Sequence, residues 1–195
     1  VAKKVAAQAA KNLVPTTLEL GGKSPTIIGT NANMALAAER ILFSKTLNAG
    51  QICLSPDYIF VKKDEKRNLI SELQKAYSKF FPEPNSHNQT SMVNKHHLKR
   101  MNSYLLDATK KGATVESLGK NDDLDKNMIS TKIVTEVNDG MDVMKHEIFG
   151  PVLPIMTYDS ISDVVDYINK NDNPLGLYYF GRSQSEQNFV INNTR

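Results

Sequence analysis

The sequence predicts an α/β fold, with an open, mostly parallel sheet and helices on both of its faces. Two patterns point to it. Short runs rich in Val, Ile, Tyr and Phe alternate with longer stretches whose apolar residues recur at helical spacing, and alternation at this length is what parallel crossover units produce. Size agrees, since 195 residues, 40% hydrophobic and 23% charged, can bury one substantial core and fit one domain.

Taken in order, the chain opens with an expected helix over residues 2–13 and strands near 17–20 and 25–29. Ala35, Ala38, Ile41, Leu42 and Lys45 share helical spacing and predict a helix over 33–47, which breaks at Asn48-Ala49-Gly50. Ser55-Pro56 then leads into a strand over 57–62. Leu69, Leu73, Ala76, Tyr77 and Phe80 fall on one face of an amphipathic helix ended by Pro82 and Pro84. A helix near 93–111 carries Leu98, Met101, Leu105 and Ala108, with strands near 114–118 and 129–135 after it. Strand 152–157 feeds a helix starting at Ser160, and strand 177–181 feeds another, opened by the capping-box pattern Ser183-Gln184-Ser185-Glu186. Pro82 to Gln89 is the one linker-like stretch, too short to divide domains.

The chemistry centres on Cys53, the only cysteine, in Asn48-Ala49-Gly50-Gln51-Ile52-Cys53. A thiol is a usable nucleophile near neutral pH, and a carboxylate elsewhere in the fold can activate water to release product. A lone cysteine is more often a small buried hydrophobe, but this one falls in a tight connection between helix and strand, where backbone amides can face a developing oxyanion. Glu19, in Leu18-Glu19-Leu20-Gly21-Gly22-Lys23, is the candidate carboxylate. A third segment, Lys145-His146-Glu147-Ile148-Phe149-Gly150-Pro151, sets a carboxylate two residues from an aromatic just before a turn. That spacing suits a ligand with a sugar hydroxyl and a flat ring, although taken on its own the segment reads better as a loop with one solvated Glu and one buried Phe.

Together these three motifs resemble the catalytic domain of the aldehyde dehydrogenase superfamily, in their order and separations and over nearly the whole chain. Leu54-Ser55-Pro56-Asp57-Tyr58 and Leu175-Gly176-Leu177-Tyr178-Tyr179-Phe180 look like the branch handling fatty, aromatic and coniferyl-type aldehydes. The resemblance implies an NAD- or NADP-dependent enzyme oxidising an aldehyde to a carboxylic acid. Cys53 matches the nucleophile that forms a thiohemiacetal and then a thioester, and Glu19 matches the general base that hydrolyses the thioester. Glu147 matches the binder of the nicotinamide ribose, Phe149 the aromatic near the nicotinamide ring, and Leu20 and Gly21 backbone positions near the nicotinamide and the thiol. Lys23 completes the first motif, and its side chain suits a structural role as well. Acylating relatives that use coenzyme A are disfavoured by Glu19. The resemblance further implies a homo-oligomeric parent protein. It makes residues 1–195 a single catalytic domain truncated at both ends, with the dinucleotide-binding domain and the oligomerisation strand outside it.

Composition narrows the alternatives. Net charge is +3, and lysines are interspersed with acids, as in Lys62-Lys63-Asp64-Glu65-Lys66-Arg67, which reads as a solvated face and not as a nucleic-acid patch. One cysteine excludes an internal disulfide and fits a cytoplasmic, reducing location; no apolar stretch reaches the roughly 20 residues of a membrane span. His87, His96, His97 and His146 lack metal-ligand spacing, so no metal is expected. Two rivals stand beside the dehydrogenase: a cofactor-free thiol esterase using Cys53 and Glu19, and a catalytically silent structural domain.

Overall fold

In a computed structural model of the chain, which describes residues 1–82, 89–120 and 122–194, six strands form one sheet. They are β1 (Pro25–Ile28), β2 (Tyr58–Lys62), β3 (Thr114–Ser117), β4 (Lys132–Thr135), β5 (Val152–Tyr158) and β6 (Tyr178–Phe180), in the order β3-β4-β5-β2-β1-β6. Every pairing is parallel except that of β3 with β4. A parallel sheet must be covered on both faces, and its strands accordingly read as near-continuous apolar runs. Alternation then divides them: Ile28, Ile59, Val61, Ile133, Leu153 and Ile155 face one layer, while Ile27, Tyr58, Phe60, Val134 and Val152 face the other.

Helices α2 (Met34–Thr46) and α3 (Lys66–Phe80) cover the first layer through Ala37, Ala38, Ile41, Leu42, Leu69, Leu73, Ala76 and Tyr77. Helices α4 (Lys95–Lys110), α5 (Asp142–Lys145), α6 (Ile161–Lys170) and α7 (Gln184–Asn193) cover the second. Side chains close several helix starts: Asn33 accepts from the Leu36 N–H, Asn94 from His97, Ser160 from Ser162 and Ser183 from Glu186. Each such cap is worth about 1 kcal/mol. α1 (Ala2–Lys11) forms as its spacing predicts, but no residue before Gly21 is buried. No helix among the described residues is long and apolar enough to cross a membrane.

The structure corrects the sequence reading in five places. Residues 17–20 are not a strand: they run exposed, with no partner strand beside them. β4 starts at Lys132, because the Ser130 N–H is taken by the Asp122 carboxylate at 2.8 Å. On α2 the buried stripe includes Ala37 and leaves Ala35 exposed. The short α5 has no sequence signal. The capping box at Ser183 is half made, because Glu186 turns instead to the Thr30 N–H and hydroxyl and to the Tyr179 hydroxyl. Most of the linker expected over 82–89, with Pro84 and His87, lies outside the described residues.

Candidate active site

The motif-bearing segments enter four neighbouring strands. Glu19–Ser24 precede β1, Cys53–Asp57 precede β2, Glu147–Pro151 precede β5, and Leu175–Leu177 precede β6. Since β5, β2, β1 and β6 are consecutive and parallel, all four segments come together at the amino ends of the strands. Open α/β sheets ordinarily bind ligands at the carboxyl ends.

The Cys53 segment is built as a braced turn. After α2 the backbone goes left-handed for three residues, with φ of 52° at Asn48, 55° at Ala49 and 69° at Gly50. Gly50 has to be glycine, since a Cβ there would lie 2.6 Å from the Gly150 carbonyl oxygen. That contact presses the cysteine loop against the Glu147 loop. Gln51 then locks the chain, its amide donating to the Asn48 and Ser91 carbonyls and its oxygen accepting from the Val93 N–H. Ser55 N–H closes a turn on the Ile52 carbonyl at 2.9 Å, which puts Cys53 and Leu54 at its two central positions with the free thiol exposed. Beyond it, fully buried Lys45 donates to the Pro56 carbonyl at 2.9 Å, and the Asp57 N–H bonds the Ser24 carbonyl. Burial lowers the Lys45 ammonium to about 8, against the opposing pull of Asp57.

The Glu147 segment is held from behind. Asp57 accepts from the Ile148 N–H at 2.8 Å, and Lys23 ties the arrangement together by pairing with Asp57 and donating to the Val143 and His146 carbonyls at 2.9 and 3.1 Å. Lys23 is thus structural. From α4, Arg100 donates to the Ile148 carbonyl at 2.7 Å, with the Glu147 and Phe149 carbonyls at 3.5 and 3.4 Å, while its guanidinium stacks on Tyr104. Phe149 sits at φ 46°, a left-handed position costing a bulky residue roughly 1–3 kcal/mol, and the residue is 38% exposed. The loop with a buried Phe is therefore excluded.

Glu147 is half-buried against the first motif. A Cβ on Gly21 would overlap its carboxylate oxygens. Burial raises its carboxyl above the usual range, the nearby Gly22 N–H pulls it back, and the Asp57 charge adds to the rise. The carboxylate lines a groove of about 420 Å³ shared with Gly22, Lys23 and Lys145. Glu19 and Leu20 lie on the exposed run just before it, Leu20 at 53% exposure. The structure therefore joins Gly21 to Glu147 and the Cys53 loop to the Glu147 loop, and leaves Glu19 and Leu20 at the open entrance to β1.

Sequence reasoning did not single out Asp57, Arg100 or Tyr178. Asp57 had a weak signal as an acid at a strand start. Arg100 had none, because on the amphipathic α4 it reads as solvated.

The chain belongs to the aldehyde dehydrogenase family, whose description matches residues 1–195. It is 43% identical over 199 residues to a probable coniferyl aldehyde dehydrogenase of Caulobacter vibrioides, and 40% identical over 202 residues to a coniferyl aldehyde dehydrogenase of a Pseudomonas species. Each alignment takes in 100% of this chain and 41% of the relative, so the chain spans about two fifths of their length. Among solved structures it is similar to Staphylococcus aureus AldH in a substrate-bound state, with 37% identity, a TM-score of 0.93, and coverage of 100% of this chain and 42% of that one.

Proposed function

We propose that the protein containing this chain is an NAD- or NADP-dependent aldehyde dehydrogenase, with Cys53 as nucleophile and Glu19 as general base. The observation that carries this reading is the convergence of four segments at the amino ends of four adjacent parallel strands, with an exposed thiol on a braced turn pressed against the Glu147 loop. The Cys53 thiolate adds to the aldehyde carbon and forms the C–S bond of a thiohemiacetal. The Cys53 and Leu54 N–H groups are this chain's backbone donors to the oxygen that gains charge, the Ser55 N–H being committed to the Ile52 carbonyl.

The residues fit a nicotinamide cofactor: Glu147 offers acceptor oxygens for ribose hydroxyls at the edge of a groove, and Phe149 offers a ring clamped through its backbone by Arg100. A nicotinamide held there would supply the hydride acceptor for the thiohemiacetal carbon, whose oxidation gives a thioester on Cys53. Glu19 then accepts a proton from the water that attacks this thioester, the C–S bond breaks to return the Cys53 thiolate, and the carboxylic acid departs. The names of the Caulobacter and Pseudomonas relatives support a coniferyl-type aromatic aldehyde as substrate, within a branch that also takes fatty aldehydes. The single free thiol suits a cytoplasmic location, and the family resemblance suggests a homo-oligomer.

The test is the full protein with coniferyl aldehyde and NAD or NADP, followed by absorbance of the reduced cofactor. Steady production with formation of the acid is expected. Hydrolysis of an activated ester without cofactor reduction by any aromatic or long-chain aldehyde would establish the thiol esterase instead.

A further inference from the structure

One hydroxyl at this site has no part in the proposed chemistry. Tyr178 opens β6, and its phenol donates to the Leu54 carbonyl at 2.5 Å. Leu54 follows Cys53 directly, and its side chain rests on the same segment: a Cβ at Gly176 would lie 3.2 Å from a Leu54 methyl carbon and 3.8 Å from the Tyr178 hydroxyl. β6 is a firm base, because Tyr178 and Tyr179 pair in register with Thr26 and Ile27 of β1. Between the anchors at Gln51 and Pro56, this is the one side-chain hydrogen bond to the backbone of the cysteine turn among the described residues. The turn otherwise has a single internal bond, and both its central side chains are exposed. Burial raises the Tyr178 phenol and the Cys53 charge raises it further, so the hydroxyl keeps its proton to donate.

We propose that Tyr178 is a positioning residue for the nucleophile: with Gly176 it forms a seat that fixes the Leu54 peptide and so the direction of the Cys53 thiol. The inference depends on Cys53 being the nucleophile. A turn free to rock about the Gln51 and Pro56 anchors would still present a thiol, but would spend less time in the geometry for attack, which lowers the rate of the covalent step and not the binding of either substrate.

The test uses the full protein with Tyr178→Phe, which removes one oxygen and keeps the ring. Two readouts are followed: amide exchange in a peptide spanning 52–55, and the first-turnover burst of reduced cofactor. Exchange should quicken about tenfold and the burst slow about five- to tenfold, the worth of one net hydrogen bond, with both KM values within about twofold. Tyr179→Phe, which loses the bond to Glu186 far from the thiol, should leave both readouts at wild-type values. An unchanged burst and unchanged exchange in Tyr178→Phe overturn the proposal. Should Tyr178→Phe unfold, Gly176→Ala, which displaces Leu54 by only a few tenths of an ångström, must slow the burst in the same way, or the proposal fails. A Cys53→Ala protein that still oxidises aldehyde removes the nucleophile reading and this inference with it. An inactive Cys53→Ala protein beside an unaffected Tyr178→Phe removes the inference alone.

Discussion

Glu147 lies where it does because Gly21 has no side chain. A methyl at Gly21 would take the space of the carboxylate oxygens, so Gly21→Ala must push Glu147 out of its half-buried position. We expect the cofactor KM to rise about tenfold, the cost of a misplaced charge-assisted hydrogen bond, with alkylation of Cys53 by iodoacetamide unchanged. Equal loss in both assays would mean that Gly21 supports the thiol and not the ribose. Glu19 should separate two other steps. Glu19→Gln is expected to keep a single burst of reduced cofactor while steady turnover slows by about 10² to 10⁴, the usual cost of losing a general base; disappearance of the burst would place Glu19 before the covalent step, in activating the thiol.

At the scale of elements, local pattern predicted well what local physics decides. The stripe Leu69, Leu73, Ala76 and Tyr77 gave α3 its buried face, and Ser183 gave α7 its cap. What escaped depends on contacts distant in sequence. Residues 17–20 look like a strand but have no partner strand, and Glu186 left its capping box for Thr30, at the end of the neighbouring β1. Of the candidate site, Cys53, Glu147 and Phe149 were readable because their neighbours break periodicity or cluster unlike residue types. Arg100 was not, since only the folded arrangement brings the Ile148 carbonyl to it. Arg100→Met should therefore loosen the Glu147–Phe149 backbone through α4 while the helix persists, given the good helix propensity of Met. We predict a rise of about ten- to a hundredfold in cofactor KM, from roughly 1.5–3 kcal/mol in hydrogen bonds made by a charged donor. Wild-type KM in that variant would leave Arg100 a packing role only.

Across the whole molecule, a buried lysine and a set of buried and half-buried tyrosines give opposite responses to alkali. Lys45 is lowered from 10.5 to about 8 on folding, so between those values the unfolded chain binds more protons and its contribution to stability grows with pH. Six of the seven tyrosines go the other way: burial raises Tyr58, Tyr77, Tyr158, Tyr167, Tyr178 and Tyr179, with Tyr77 and Tyr158 reaching about 12. Their contribution is whole below pH 10 and disappears as pH climbs through the folded values. Urea midpoints should hold or rise slightly from pH 8 to 10 and fall steeply above it, with Lys45→Met abolishing the rise; midpoints flat to pH 12 would contradict the burial of these groups. The same sheet that buries them also gathers the four loops at its amino ends and makes the one exposed thiol the centre of the molecule. That claim is tested most directly by Cys53→Ala in the full protein, assayed for cofactor reduction by coniferyl aldehyde. Loss of several orders of magnitude in turnover, with folding and cofactor binding retained, is the predicted result; oxidation persisting within about tenfold of wild type would contradict it.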